Sequence, residues 1–302
     1  ASVMQQTLLL ATLDGLAQAS VLFMVAVGLS LIFGIMRILN VAHGSFYALG
    51  AYSAVALGLW LAGPDGGVWT YPALLLAAVA IGVTMGPLIE RLLLRRIYGK
   101  EHALQLLLTF GVFMILEDVQ KMIFGVEPQF NDAPLAMLGM VEVGGIYYTA
   151  YQLFVLPLAA ITVMLALTIY FNKTRQGKLI ATVIEDYEVA RVLGINAKRV
   201  YTITFMLGTT LAALGGALAS PTTSLVPGVG ADSIVLSFAI VATAGLGHFQ
   251  GTAVTAVIVG LAQALSVHLL PALSSVMPYL VMTAILLVKP YGLFGTPQVR
   301  RI

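Results

Sequence analysis

The sequence predicts an all-α, polytopic bundle of transmembrane helices, and two features of the whole chain support this fold class. Apolar residues make up 60% of the 302 residues and charged residues only 9%, and the mean hydropathy is +0.98. Soluble domains usually carry about 25% charged residues. The apolar segments are long and continuous rather than alternating, which argues against a transmembrane β-barrel. We therefore expect residues 1–302 to form a single membrane domain surrounded by lipid bilayer.

The composition also excludes several kinds of chemistry. A net charge of +2 argues against nucleic-acid binding, which needs many basic residues. The absence of cysteine excludes disulfides, thiolate metal sites and thiol nucleophiles, and the four histidines show no metal-ligand spacing. We expect no catalytic centre, no metal and no cofactor in this chain. No Lys or Arg precedes Arg37, so we also expect no secretory signal peptide.

Nine apolar segments approach the length of about 20 residues that a helix needs to cross a bilayer. The second segment is interrupted near Asn40, His43 and Gly44, and the seventh is short for a full span. We therefore predict eight to nine spans, with broken or short helices near residues 38–45 and 244–251. In chain order the segments are Leu16–Met36, Ile38–Leu61, Pro72–Ile89, Ala103–Phe124, Tyr151–Phe171, Val200–Ser220, Ser233–Leu246, Thr252–Leu270 and Ser274–Val288.

The distribution of the few charges predicts the orientation. With nine spans and the N-terminus outside, every one of the 15 basic residues except Lys121 falls on the cytoplasmic side. The opposite loops carry acids such as Asp65, Glu127 and Asp232. This asymmetry predicts an N-out/C-in topology, with an outer loop at residues 125–150 and a cytoplasmic loop at residues 172–199.

The two interruptions are candidates for a solute pathway. Non-helical backbone at membrane depth must line a cavity or be buried in protein, and broken helices are typical of translocation pathways. The candidate pathway residues are Asn40, His43, Gly44, Ser45, Gly245 and Gly247. Two alternatives remain open: His43 makes only an interhelical hydrogen bond, and His248 lies in a surface loop.

Side-chain spacing within the segments indicates how the helices pack. Glu117 and Lys121 stand at i and i+4, and we expect a structural ion pair there rather than a proton relay. Small residues recur at every fourth position, for example Gly208, Ala212 and Gly216, which favours close helix contacts in lipid. The alternative is that these faces slide during gating.

The cytoplasmic loop contains the signature of a short helix. Asp186 is a natural N-cap, and Gly194 supplies the left-handed residue that often ends a helix. Val189, Ala190 and Leu193 then fall on one apolar face. A helix of two turns is unstable alone, so this face needs a partner surface such as a groove. The alternative partners are the membrane surface and the chain's own bundle.

Four motifs, taken in order along the chain, resemble those of a known family. Residues 34–44 read GIMRILNVAHG and are followed by GAY at 50–52, and residues 245–251 read GLGHFQG. Residues 185–199 contain the acidic cap and the Leu-Gly-Ile stop, and residues 286–295 read LLVKPYGLFG. Over nearly its whole length the chain resembles the LivH/LivM-type permeases of branched-chain amino acid ABC importers. The urea and short-chain amide permeases are similar.

The resemblance implies the function and the partners of the chain. It implies a non-catalytic permease in the bacterial inner membrane that moves branched-chain amino acids inward from the periplasm. It implies a second permease subunit (LivM-like, or a second copy), two ATP-binding subunits that hold ATP and Mg, and a periplasmic binding protein received by loops 125–150 and 221–232. The coupling helix that docks on the ATPase would comprise Glu185, Asp186, Val189, Ala190, Leu193, Gly194 and Ile195.

Rival functions follow from the same residues. The chain lacks the ATP-binding pattern G-x-x-x-x-G-K-[ST], so a partner must supply the energy. Within the importer class, a urea, short-chain amide or aromatic-acid permease is the alternative. A secondary transporter would need ion sites, for which Glu117 and Asp118 are the candidates. An intramembrane enzyme would need a catalytic constellation, which the apolar segments do not contain.

Overall fold

The computed structural model describes residues 2–296, which form mainly long helices. A π-helical turn at Tyr151–Val155 leads into the sixth helix, and short 3-10 turns stand at Leu94–Arg96 and Pro271–Leu273. The α-helices are α1 (Val3–Met36), α2 (His43–Ala62), α3 (Thr70–Leu92), α4 (His102–Phe124), α5 (Ala133–Leu138), α6 (Leu156–Lys173), α7 (Arg175–Glu185), α8 (Tyr187–Val192), α9 (Ala197–Ala219), α10 (Val229–Ala244), α11 (Phe249–Leu269) and α12 (Met277–Val288).

Each of the nine predicted segments coincides with a helix. Among residues 2–296, six helices are long and apolar enough to cross a membrane, namely α1, α2, α3 with its 3-10 turn, α6 with its π turn, α9 and α11. Two shorter apolar helices, α10 and α12, and the more polar α4 account for the other three segments. The prediction of an α-helical polytopic membrane protein is confirmed, whereas the count of eight to nine spans stays a prediction.

A small β-hairpin lies within the loop at residues 125–150 and was not predicted. Strands β1 (Met140–Val143) and β2 (Ile146–Thr149) pair antiparallel, with Val143 opposite Ile146. Gly144 and Gly145 form the two-residue turn with φ of 59° and 86°, as a type I′ turn requires. Strands of four residues are too short to show a clear alternation in sequence. The hairpin packs against the start of α1, where Gln6 donates to the Gly145 carbonyl.

Helix α9 is the central packing element, because it contacts α1, α2 and α3. Small residues allow these contacts: a Cβ on Gly28 of α1 would lie 2.6 Å from the Gly208 carbonyl oxygen, and a Cβ on Gly216 would collide with the Tyr47 carbonyl of α2. The small residues that recur at every fourth position of α9 are therefore sites of close helix packing.

Both predicted interruptions are present. Helix α1 ends at Met36, Arg37 adopts the left-handed conformation with φ of 54°, and the chain returns without helical structure to His43. This returning segment is buried, since Ile38, Asn40 and Ala42 are inaccessible to solvent. The second interruption is the turn at residues 245–248 between α10 and α11. Buried non-helical backbone is the form in which a membrane protein tolerates such a break.

The loop at residues 172–199 contains two helices rather than the single one expected. Thr174 caps α7, because its hydroxyl oxygen accepts a hydrogen bond from the Gly177 amide at 3.0 Å. The buried face of α7 contains Ile180 and Val183, which are spaced three residues apart as an amphipathic helix requires. The expectation concentrated on the stretch after Asp186, and the charges at the start of α7 hid its apolar stripe.

Candidate translocation cavity and coupling surface

A cavity of about 460 Å³ lies between α1, α6, α10 and α11, at the end of the bundle where α1 begins. This volume is within the range of roughly 300–1,000 Å³ that small-molecule sites occupy. Both polar and aliphatic side chains line the cavity. The polar residues are Asp14, Gln18, Gln152, Thr222, Thr223, Asp232, Ser233 and His268, and the aliphatic residues include Val21, Leu22, Val25, Leu156 and Leu236.

The Asp14 carboxylate contacts two other side chains at the open end of this cavity. Its Oδ2 lies 2.8 Å from Nε2 of His268, and its Oδ1 accepts a hydrogen bond from the Tyr148 hydroxyl at 2.9 Å. Burial raises the pKa of Tyr148, and the neighbouring Asp14 carboxylate raises it further. The Tyr148 hydroxyl therefore stays protonated near neutral pH and remains a donor. These bonds join the hairpin, α1 and α11.

The closed end of the cavity is formed by Tyr47 of α2 and Val25 of α1. Val25 and Tyr47 line the cavity, and Nε2 of the fully buried His43 lies 2.9 Å from the Val25 carbonyl oxygen. This contact is the interhelical hydrogen bond that the sequence left open as an alternative. Because His43 is one helical turn from Tyr47, the bond holds α2 against α1 at the cavity floor.

The starts of α2 and α10 meet at the same place. A Cβ on Gly230 would lie 2.6 Å from the Gly44 carbonyl oxygen, so the two backbones are in contact. Ser45 follows, and its carbonyl accepts a long hydrogen bond of 3.4 Å from the Gln120 amide of α4. Asp232 and Ser233 of the first turn of α10 line the cavity above this contact. The starts of α2 and α10 are therefore closely packed at this contact.

Four of the six predicted pathway residues lie in this closed region. Asn40, His43, Gly44 and Ser45 are all buried, and none of them lines the cavity. Within residues 2–296, Oδ1 and Nδ2 of Asn40 and Nδ1 of His43 have no hydrogen-bond partner. Such atoms are costly to bury, and each usually has a structural or functional reason. The role of these residues in translocation stays a prediction.

The other two predicted pathway residues, Gly245 and Gly247, lie at the opposite end of α10. Eight residues of helix separate Gly245 from Leu236, the nearest cavity-lining residue of α10, which corresponds to about 13 Å. Gly245 packs against Gly292 and Gly295 of the terminal motif, whose Leu293 and Phe294 amides donate to the last carbonyls of α10. These contacts hold residues 292–295 against α10, and neither Gly245 nor Gly247 lines the cavity.

The short helix predicted between Asp186 and Gly194 is present as α8, and its coupling role stays a prediction. Asp186 ends α7 and caps α8, with its carboxylate accepting from the Glu188 and Val189 amides at 3.0 and 3.1 Å. At the other end Gly194 has φ of 76°, and the Ile195 amide donates to the Ala190 carbonyl at 3.0 Å. This is the hydrogen-bond pattern of a Schellman motif. Both ends of α8 are therefore fixed by local interactions.

The exposed face of α8 differs from the predicted one. Ala190 is fully buried against the chain's own bundle, and so does not share a free surface with Val189 and Leu193. Val192 is 87% exposed and Leu193 67% exposed, and Val189 is exposed as well. Because α8 has only six residues, one side must rest on the bundle and the other carries the apolar surface. Glu185, at the end of α7, is exposed beside it.

A chain of tyrosines connects α8 to the interior. The Tyr187 ring of α8 stacks on Tyr201 of α9 with centroids 6.4 Å apart, and Tyr201 makes an edge contact with Tyr98 at 5.1 Å. The Tyr98 hydroxyl donates to the Glu90 carboxylate. Burial raises the pKa of Tyr98, and its hydrogen bond to Glu90 raises it further. Tyr98 therefore remains a protonated donor in this contact.

Glu90 is a buried carboxylate that the sequence reading missed. It is inaccessible to solvent, and it also accepts hydrogen bonds from Arg95 Nε at 3.1 Å and from the Thr202 hydroxyl at 2.8 Å. These bonds join the ends of α3 and α9 next to α8. A signal was present, since Glu90 directly follows an apolar segment and precedes an arginine by five residues.

Asp14, Asp232 and His268 were also missed as site residues. In the sequence analysis, Asp232 is treated only as an acid in an outer loop, and His268 is treated only as one of four scattered histidines. Asp14 and His268 are 254 residues apart in sequence, so no local spacing reveals their contact. A carboxylate followed by 22 residues without another charge in α1 was the available signal.

The charged residues of α4 form the expected ion pair. Lys121 Nζ lies 3.7 Å from Glu117 and 3.3 Å from Asp118, and the Lys121 and Asp118 side chains are exposed. An exposed acid that is already paired with lysine is a poor ion-coupling site. The structure therefore gives no support to a secondary transporter based on these two acids.

The fold and the site define a class of protein, because a solute-sized cavity at one end and an exposed capped helix at the other are typical of a membrane transport subunit. The chain belongs to the family of branched-chain amino acid transport system permease components, whose model matches residues 11–286. Membership in this family confirms the resemblance carried by the motifs. It makes the chain the permease component of a transport system.

Individual relatives match along nearly the whole chain. The high-affinity branched-chain amino acid transport system permease protein LivH of Escherichia coli K12 is 28% identical over 300 residues, covering 96% of each chain. The corresponding protein BraD of Pseudomonas aeruginosa is 25% identical with the same coverage. A probable LivH of Methanocaldococcus jannaschii is 25% identical over 92% of this chain and 89% of its own. No solved structure gives a significant match.

Proposed function

We propose that this chain is a permease subunit of a bacterial ABC importer that carries branched-chain amino acids from the periplasm to the cytoplasm. The observation that carries the proposal is α8, a short helix capped at both ends with an exposed apolar face, in a chain of this family. The transport named for the relatives supports the substrate class. The chain itself catalyses no reaction, and selectivity resides mainly in the binding protein.

The proposed topology has nine spans with the N-terminus in the periplasm and the C-terminus in the cytoplasm. The positions of the basic residues support it, since Lys and Arg cluster around α7 and α8. Helix α1 is about 51 Å long, well beyond the roughly 30 Å of the hydrocarbon core, so its first turns stand outside the membrane. The cavity then faces the periplasm of the inner membrane, and α8 faces the cytoplasm.

The partners supply what this chain lacks. Two ATP-binding subunits hold ATP and Mg, a second permease subunit completes the membrane domain, and a periplasmic binding protein delivers the substrate to loops 125–150 and 221–232. The missing ATP-binding pattern and the unpartnered face of α8 support this division. The chain needs no cofactor of its own.

The proposed mechanism transmits the movement of the ATPase through α8 to the cavity floor. When the ATPase dimer closes, α8 moves with the groove that holds it. Tyr187, Tyr201 and Tyr98 pass this displacement to α9, which packs closely on α1, α2 and α3. These helices tilt as a rigid body, and the contact between Gly44 and Gly230 opens toward the buried segment that contains Asn40 and His43.

The coupling assignment is tested by Asp186→Arg combined with Gly194→Pro. Both caps of α8 are lost, so the apolar face no longer fits its groove. We expect membrane insertion to be normal, while uptake of leucine and stimulation of the ATPase by loaded binding protein both fall at least about tenfold. A matched control is Glu101→Arg, an exposed acid elsewhere on the cytoplasmic side. Coupling that stays intact in the double variant would refute the docking of α8.

A further inference from the structure

We propose that the 460 Å³ cavity is a binding site for one α-amino acid with a short aliphatic side chain, and that Asp232 binds its ammonium group. This inference rests on the proposed importer function and adds a place and a set of recognising groups within this chain. It makes the permease a second point of substrate selection after the binding protein.

The charge of the cavity favours a ligand that carries an ammonium group. Asp14 and Asp232 line it together with His268, and no Lys or Arg is among the lining residues in the described part of the chain. Such a cavity has a negative potential, which attracts cationic groups and repels simple anions. A carboxylic acid without an amino group is therefore a poor ligand.

The hydrogen bonds assign different roles to the two carboxylates. The Asp14 carboxylate is not available to a ligand, because its two oxygens already contact His268 and Tyr148. Asp232 is exposed and lines the cavity, and its side chain makes no hydrogen bond or ion pair with any residue from 2 to 296. A free carboxylate that faces a solute cavity is the natural partner of a ligand ammonium group.

Neutral donors are available for the ligand carboxylate. Gln152 uses its carbonyl oxygen to accept from Thr149 at 2.7 Å, which leaves its amide NH₂ group free to donate. The Thr223 hydroxyl also lines the cavity and has no hydrogen-bond partner among the described residues. Placed in the same cavity as Asp232, these donors complete the recognition of a zwitterion.

The remaining wall fits an aliphatic side chain. Val21, Leu22, Leu156 and Leu236 line the cavity and offer apolar surface without a charged or hydrogen-bonding group. Burial of a branched aliphatic side chain against this wall gains hydrophobic free energy. A small polar solute such as urea gains nothing there, so the cavity discriminates between the two substrate classes of similar permeases.

The absence of cysteine from the natural chain allows a direct test. Thr222→Cys places one thiol in the cavity at a residue whose hydroxyl donates to the Ala219 carbonyl and has no role in the proposed recognition, and Ser274→Cys provides a control thiol in the turn before α12, at a residue that does not line the cavity. The complete transporter is purified without binding protein, and the rate of modification by a membrane-impermeant methanethiosulfonate is measured. The probes are leucine, isoamylamine (no carboxylate), 4-methylpentanoate (no ammonium) and the neutral 4-methylpentanamide.

We expect leucine to slow modification of the cysteine at 222 and isoamylamine to do so more weakly, while the acid and the amide have no effect. In this background Asp232→Asn should raise the half-protecting leucine concentration by about tenfold or more, because a hydrogen bond to a charged group contributes that much affinity. Asp65→Asn, which removes an exposed acid outside the cavity, should leave the half-protecting concentration unchanged. The modification rates with and without probe are compared within each variant. A change in the electrostatic attraction of the reagent, caused by the loss of a carboxylate, therefore does not affect the comparison.

Three results would overturn the proposal. They are no protection by any probe, equal protection by the amide and the amino acid, and unchanged protection in Asp232→Asn. ATP-driven leucine uptake by the unmodified complex, measured in parallel, tests the importer function separately. Normal uptake without protection of the cavity cysteine would refute the cavity assignment alone. Absent uptake would refute the importer function.

Discussion

Glu90 illustrates how a single buried residue stabilises the cytoplasmic end of the bundle. It accepts hydrogen bonds from Arg95, Tyr98 and Thr202, and so it joins α3 to α9 below the tyrosines that contact α8. A buried carboxylate with three donors is costly to disturb, because its removal leaves the donors without a partner.

Replacement of Glu90 by alanine should destabilise the protein measurably. Arg95 is about a third exposed and recovers part of its solvation, so we expect a loss of about 2–3 kcal/mol rather than the full cost of a buried unpaired charge. Thermal unfolding of the detergent-solubilised chain measures this loss as a lower midpoint. Glu101→Ala, at an exposed position nearby, is the control and should leave the midpoint in place. Equal midpoints for the two variants would show that the network contributes nothing.

Local residue roles could be predicted, whereas long-range partnerships could not. Asp186 and Gly194 were identified because an N-cap and a C-terminal glycine act on residues next to them in sequence. The contact of Asp14 with His268 and the contact of Glu90 with Thr202 depend on helices that are distant in sequence. The amino-acid composition and the local spacing of residues do not indicate such long-range pairs.

At the scale of the elements, α9 determines how the other helices approach. Gly208 packs against Ile32 and the Gly28 carbonyl of α1, with 2.9 Å between that oxygen and the position of an added Cβ. Any larger side chain must push α1 away from α9. The small residues thus keep the central helices in contact and allow them to move together.

Gly208→Val should therefore weaken the bundle and reduce transport. We expect a stability loss of about 1–3 kcal/mol or more from overpacking, seen as a lower unfolding midpoint. Gly111→Val in α4 is a matched control, since a Cβ at Gly111 meets no atom within 4 Å. If both valine variants unfold at the same temperature, the close contact between α1 and α9 is not important for stability.

The elements themselves were largely predictable because most of them are long apolar helices. Two of the exceptions are instructive. Helix α7 was missed because the charged and polar residues at its start hide its apolar stripe of Ile180 and Val183, and the hairpin was missed because its strands have four residues each. Short elements depend on the surface they pack against, and that surface is not visible in a local window.

At the scale of the whole molecule, the cavity and α8 lie at opposite ends of the bundle and are connected through α9. The fold class followed from composition, and the family followed from four motifs and is confirmed by the match over residues 11–286. The cavity could not be predicted, because helices from both halves of the chain form it. The predicted pathway residues instead lie beneath its floor or at the far end of α10.

The central claim is that ATP hydrolysis by a partner, transmitted through α8, drives branched-chain amino acids through this chain. It is tested most directly by uptake into proteoliposomes that contain the complete complex, with ATP and Mg in the lumen and loaded binding protein outside. We predict leucine accumulation that requires ATP and the binding protein, persists when the proton gradient is collapsed, and is lost in Asp186→Arg combined with Gly194→Pro. Leucine uptake that proceeds without ATP under an imposed proton gradient, or accumulation of urea in place of leucine, would contradict the account.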